Sequence, residues 1–211
     1  SAASDVYKRQ QRRRIMPLIK PLSKIEDKET QELVTFFNET LGFCPNSVLT
    51  MQKKPHLAQA FVNLNKAVMD NAGSISSEFK RIIAYISSNT AGCRYCQAHT
   101  IRAAERYGGE KERLEQAWDF ENSSLFSEAE KVALRFTIAA SSVPESTSQE
   151  LEELLQHHWD ETDILEIMSV IALFGYLNRW NDVMGTSLEK DAKDSAESLL
   201  QNHWDIGKHA T

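Results

Sequence analysis

Apolar residues recur along this chain at intervals of three and four rather than two, which predicts helices from end to end and no strand. After an extended lead-in over Pro17 to Lys24, Leu33, Phe36, Phe37 and Leu41 share one face of a helix from about Asp27 to Leu41, stopped by Gly42. A short helical turn follows from Cys44-Pro45-Asn46-Ser47 through Met51. Pro55 opens the next helix, whose Leu57, Phe61, Leu64 and Val68 keep the spacing to about Asn71. Ser76 or Ser77 caps a helix to about Thr90, with Phe79, Ile82, Ile83 and Ile86 as its buried stripe. Beyond Gly92 a new helix runs from about Cys93 to Tyr107 and meets Gly108-Gly109. A short helix of mixed charge is expected over Glu110 to Trp118. Ser127-Glu128-Ala129-Glu130 and Thr147-Ser148-Gln149-Glu150 each signal a helix start, the first running to about Ser141 and the second carrying Leu151, Leu154 and Leu155. The stretch from about Asp163 to Asn178 is apolar on nearly every side and too short to span a bilayer, so it reads as a central buried helix. The fold class is therefore all-α. Two serine-capped helices, Phe79 to Gly92 and Ser127 to Ser141, echo each other and leave open a degenerate duplication of two halves.

Size and charge narrow the function. At 211 residues the chain fits one domain with a sizeable core, assigned here to residues 16–190. The charged segment 191–211 reads as a loosely packed tail. Residues 1–15 end in a basic run before Met16-Pro17-Leu18 and read as a non-native or disordered leader, with no apolar segment for a signal or anchor. A net charge of −6 argues against nucleic acid. Three cysteines, two of them in Cys-x-x-Cys, do not make a disulfide scaffold; a reducing, cytoplasmic compartment with one redox motif fits better.

The candidate chemistry lies in Gly92-Cys93-Arg94-Tyr95-Cys96-Gln97-Ala98-His99. Steps of three on a helix place Cys93, Cys96 and His99 along one side, with Cys96 within a turn of both a thiol and an imidazole. Such a pair can close as a disulfide, and a base nearby together with a helix N-terminus lowers a cysteine's pKa. The bland alternative is two cysteines serving as small apolar side chains and a histidine satisfied by a carbonyl. A zinc site lacks a fourth ligand, so no metal or other cofactor is called for. Cys44 reads as core. Tyr95 either donates its hydroxyl to the site or makes an oligomer contact. Trp180, Asn181 and Asp182 either line a pocket or are structural, with Asp182 paired to Arg179. His56, His203 and His209 carry no visible chemistry, and His157-His158 reads as helix surface.

The Cys-x-Tyr-Cys-x-x-His motif after a helix and a glycine resembles the alkylhydroperoxidase D-like, or carboxymuconolactone decarboxylase-like, family. Gly42-Phe43-Cys44-Pro45-Asn46 with Lys54-Pro55 is similar to the opening segment of its peroxidase-related branch, and Arg179-Trp180-Asn181-Asp182 to a later one. The resemblance spans about Pro17 to Glu189. It implies an all-helical homo-oligomer whose dithiol reduces hydroperoxides: Cys96 attacks the peroxide, Cys93 resolves, His99 relays a proton, and Cys93 exchanges with an external dithiol reductant. The pattern departs in two places. The family's histidine stands four residues after the second cysteine, not three. Its relay glutamate falls where this chain has Arg81, which leaves Glu78, one turn earlier, as the nearest acid. The alternative of a different class is an oligomeric disulfide-relay or binding module without significant peroxide turnover.

Overall fold

A computed structural model describes residues 16–23 and 28–210, without the side chains of residues 28–30 and Leu33. The expected leader over residues 1–15 and the helix start at Asp27 lie outside the described residues. Every regular element among the described residues is helical. In chain order they are α1 (Lys28–Leu41), α2 (Asn46–Met51), α3 (Pro55–Val68), α4 (Ser77–Thr90), α5 (Arg94–Arg106), α6 (Lys111–Glu115), α7 (Glu128–Ser141), α8 (Gln149–His158), α9 (Glu161–Met184) and α10 (Lys190–Leu199), then 3-10 turns at Gln201–His203 and Gly207–His209.

The centre of the bundle is α4. Ile82, Ile83, Ala84, Tyr85 and Ile86 are all buried, so the helix is enclosed on every side by α5, α7 and α9. Ser76 caps it by accepting the Phe79 N–H, which satisfies one of the donors a helix start leaves unpaired. The central position predicted for the Asp163–Asn178 segment thus belongs to α4. The later helix packs on α4 through Ile167, Val170, Ile171 and Phe174, while Leu165, Met168 and Val183 on its other side are exposed. An all-round apolar helix does not encode which side meets the core. It is also longer than expected, because Asn178 does not stop it; Gly185, in the left-handed region at φ 59°, does.

Two other differences bear on function. The helix predicted to Trp118 ends at Glu115, and turns carry the buried Ala117 and Phe120. The tail is not loose: α10 lies against α5 and buries Ala192, Ala196 and Leu199. Beyond it Trp204 donates its indole N–H to the Arg94 carbonyl at 3.0 Å. The apolar stripe was thin, with small residues between charges, but it has helical spacing.

Candidate active site

The site forms where α4 ends and α5 begins. Gly92 takes φ 74°, a backbone region that costs other residues a Cβ clash. The turn lets Cys93 N–H reach the Ser88 carbonyl at 3.1 Å. It also makes Cys93 the N-cap of α5, its sulfur accepting the Cys96 N–H at 3.3 Å. Both thiols are free, and their sulfurs lie 2.8 Å apart. In geometry a small side-chain rotation separates them from the ~2.05 Å of a disulfide; in chemistry an oxidant must take two electrons and two protons leave. Cys96 opens onto a cavity of about 400 Å³ that Cys93 does not line. Phe36, Phe37, Phe61, Phe174 and Leu177 supply much of the apolar wall, and His99 and Asn181 stand in the lining with the thiol.

Asn181 approaches the sulfur from α9. Its Nδ2 donates to Cys96 Sγ at 3.5 Å, and the Thr186 hydroxyl donates to its Oδ1 at 2.9 Å. Thr186 therefore fixes the amide with its donor end toward the thiol. Of the alternatives for this segment, Asn181 reaches the site, whereas Asp182 pairs with Lys208 at 2.8 Å rather than with Arg179.

His99 stands between two rings, Tyr95 at 4.1 Å and Phe43 at 5.5 Å between centroids. Its Nδ1 is 3.0 Å from the Tyr95 carbonyl, an acceptor, which makes Nδ1 the protonated nitrogen. Nε2 is 2.9 Å from Glu189 Oε2, in ion-pair contact but off the direction of a linear hydrogen bond. Glu189, at the N-cap of α10, accepts at Oε1 from the Tyr95 hydroxyl at 3.0 Å and from the Asn46 backbone N–H. Carboxylate and imidazole thus face each other in a largely buried cluster.

Sequence reasoning missed Glu189. It assigned the carboxylate role to Glu78, which the structure places elsewhere: Glu78 pairs with Arg113 at 2.9 Å, and Arg113 also holds Glu130. Arg113 lies on α6 and the capping-box Glu130 on α7, so this cluster ties helices together. Nothing local marks Glu189 among thirty acidic residues; its only signal was a position just before a weak helical stripe. His209 was also passed over. It is buried, 2.7 Å from the Thr186 carbonyl and with its ring 5.7 Å from that of Tyr95.

Electrostatics reverse one expectation. A helix N-terminus should lower the Cys96 pKa, but burial pushes it well above the usual thiol value, and neighbouring Cys93 raises it further. The Asn181 amide pulls the other way. Burial, with some help from Glu189, pushes Cys44 up to about 12, which makes it a poor nucleophile. Burial and the same carboxylate raise Tyr95. Among the described residues, no group of three or more His, Cys, Asp or Glu side chains is arranged to hold a metal ion.

Comparison with known proteins agrees with this architecture. The sequence profile of the carboxymuconolactone decarboxylase family matches residues 55–139. The debrominase Bmp8 is 35% identical without ligand, with a TM-score of 0.81, over 86% of this chain and 97% of that one. A cysteine-to-alanine Bmp8 solved with 2,3,4-tribromopyrrole gives 34% and 0.82 over the same shares. An uncharacterised peroxidase-related protein from Ralstonia eutropha, with an alkylhydroperoxidase AhpD core, shares the fold at 19% identity, with a TM-score of 0.72 over 82% of this chain and 94% of its own. The uncharacterised protein YnjA of Escherichia coli is 33% identical over 93 residues, 44% of this chain and 50% of that one, so the match spans only half of that curated relative. With the dithiol in place and Bmp8 matched over nearly its whole length, the chain belongs to the carboxymuconolactone decarboxylase family and shares the fold of the alkylhydroperoxidase AhpD core.

Proposed function

We propose that the protein is a dithiol peroxidase for organic hydroperoxides. One observation carries the reading: the Cys96 sulfur opens onto an apolar cavity while the Cys93 sulfur waits 2.8 Å away. The cavity falls within the ~300–1,000 Å³ of small-molecule sites, far more room than hydrogen peroxide needs. Because burial keeps Cys96 protonated, the thiol proton has to leave as the peroxide is attacked. The base in this reading is His99, which lines the same cavity and whose Nε2 Glu189 faces at 2.9 Å, and Asn181 donates to the sulfur as charge develops. Cys96 sulfur takes the terminal peroxide oxygen, the O–O bond breaks, and the proton goes to the departing alkoxide, giving the alcohol and a sulfenic acid. Cys93 then condenses with the sulfenic acid, releasing water and forming the disulfide. An external dithiol restores both thiols, oxidised in its turn. The working form is a homo-oligomer.

A second reading has its own support in the likeness to Bmp8 and in the aromatic wall of the cavity. The same two electrons and a proton can replace a carbon–halogen bond by carbon–hydrogen, releasing halide and leaving the same disulfide.

Stopped-flow oxidation with cumene hydroperoxide, beside halide release from a brominated pyrrole, separates the readings. Cys96→Ser is expected to abolish turnover, and Cys93→Ser to stop at a trappable sulfenate. Halide release without peroxide consumption would replace the peroxidase by a dehalogenase. Oxidation no faster than that of free cysteine, with no halide, would leave a disulfide-relay or binding module.

A further inference from the structure

Two consecutive cations are buried on α4, and the fold treats them differently. Lys80, 1% exposed, has a full complement of partners: Glu166 at 2.9 Å, Asp70 at 3.8 Å and the Asp70 carbonyl at 2.8 Å. Arg81, 5% exposed, faces the cavity. Its guanidinium carbon lies 3.4 Å from the centre of the Tyr107 ring, and Nη1 donates to the Ser77 carbonyl at 2.6 Å. Among the described residues no carboxylate pairs with it. Asp70 also lines the cavity, but its side chain is half-exposed and stands beside Lys80. Burial lowers the Arg81 pKa, and only the Tyr107 side chain opposes that shift. A buried charge with no carboxylate partner is costly, and a planar guanidinium is shaped to take a carboxylate in two parallel bonds.

The distance from thiol to cation sets the ligand's length. Cys96, His99, Thr100, Ala103 and Tyr107 line the cavity along one face of α5. From Cys96 to Tyr107, against which Arg81 stacks, the helix rises roughly 16 Å. An apolar wall lies between these two ends. The geometry points to Arg81 as the anchor for a carboxylate at the far end of the substrate, which makes the preferred substrate a hydroperoxide borne on a long-chain fatty acid. The proposal rests on the peroxidase reading for its chemistry and on the cavity alone for its anchor. Glu189 already stands 2.9 Å from His99, so the position that the family resemblance gives to a relay glutamate is free for substrate binding.

The test compares linoleic acid hydroperoxide with its methyl ester, both below micelle-forming concentrations, on the full chain. The acid is expected to be turned over about tenfold or more better in kcat/KM, chiefly through KM, as befits a charge-assisted contact outside the reacting centre. Arg81→Gln should bring the ratio to about one, and Arg81→Lys should restore part of it. Equal rates for acid and ester on the wild-type protein overturn the proposal, and this arm needs no variant to fold. Oleate and methyl oleate, which lack the peroxide, are titrated in parallel by calorimetry. If no hydroperoxide is consumed, the peroxidase reading fails and these titrations decide the anchor. Tighter binding of oleate that disappears in Arg81→Gln sustains it, and equal affinities sink it.

Discussion

At the scale of single residues, two glutamates separate a structural role from a chemical one. Glu78→Gln loosens one arm of a largely buried ion-pair cluster and is expected to cost about 1–3 kcal/mol of stability. It should leave the rate of peroxide-driven thiol oxidation unaltered. Glu189→Gln keeps the contact with Tyr95 but removes the proton acceptor facing His99, so oxidation should slow by about 10²-fold at neutral pH, in the range of general base catalysis. Stopped-flow rates and denaturant melts on the two variants check both. The thiols predict a pH effect on stability as well. Cys44 holds its proton up to about 12 in the folded chain, against an ordinary value of 9.0. Above pH 9 the folded state therefore keeps a proton that the unfolded state has lost, and stability should fall as pH rises from 9 toward 12. The raised Cys96 pKa acts in the same direction. Denaturant midpoints at pH 8 and pH 10 give the sign directly, and Cys44→Ser should flatten the slope.

At the scale of elements, the start of α5 organises everything near it. Gly92→Ala forces a Cβ into the left-handed region at φ 74°. It should cost about 1–2 kcal/mol and, by shifting the Cys93 cap, slow disulfide closure under mild oxidant, as read by free-thiol titration. The closeness of Cys93 to Cys96 was legible, and so was the place of His99 one turn on, because the cap and first turns of α5 carry all three. Tyr95 was left between two roles, and the structure buries it with its hydroxyl donating to Glu189. The carboxylate itself was not legible, since it arrives from a helix start some ninety residues later through tertiary packing. The extension of α9 was encoded more plainly: Gly185 is the stop signal, and Asn178 is a buried helical residue whose amide reaches the Ser87 carbonyl. The tail illustrates the limit of charge as a guide. Ala192, Ala196 and Leu199 form a stripe narrow enough to disappear among lysines and acids, yet it covers one side of α5.

At the scale of the whole molecule, the segment after Gly185 brings Glu189 to His99 and Tyr95. A chain ending at residue 186 would lack Glu189 and Trp204 and would uncover α5. It is expected to lose thiol reactivity toward peroxide together with several degrees of thermal stability, both measurable on the truncated protein. The exposed apolar strip of α9 belongs to the same scale. Leu165 is 66% and Val183 60% exposed, on a helix already packed against α4. If like copies meet there, Val183→Glu should shift the sedimentation coefficient toward that of a 24.0 kDa monomer without altering Cys96 alkylation. No helix among the described residues is long and apolar enough to cross a membrane.

The order of the two sulfurs has a consequence for regeneration. Cys93 is wholly enclosed and sits behind its partner, away from the cavity. Cys93, which the family resemblance makes the point of exchange with the reductant, therefore offers no exposed sulfur to a bulky donor such as a folded thioredoxin-type protein while the first turn of α5 stays wound. Low-molecular-weight dithiols arriving through the substrate's own doorway would meet Cys96 first. Recycling should therefore run fastest with small reductants and be competitively slowed by whatever fills the cavity, so that spent product must leave before the next pair of electrons comes in.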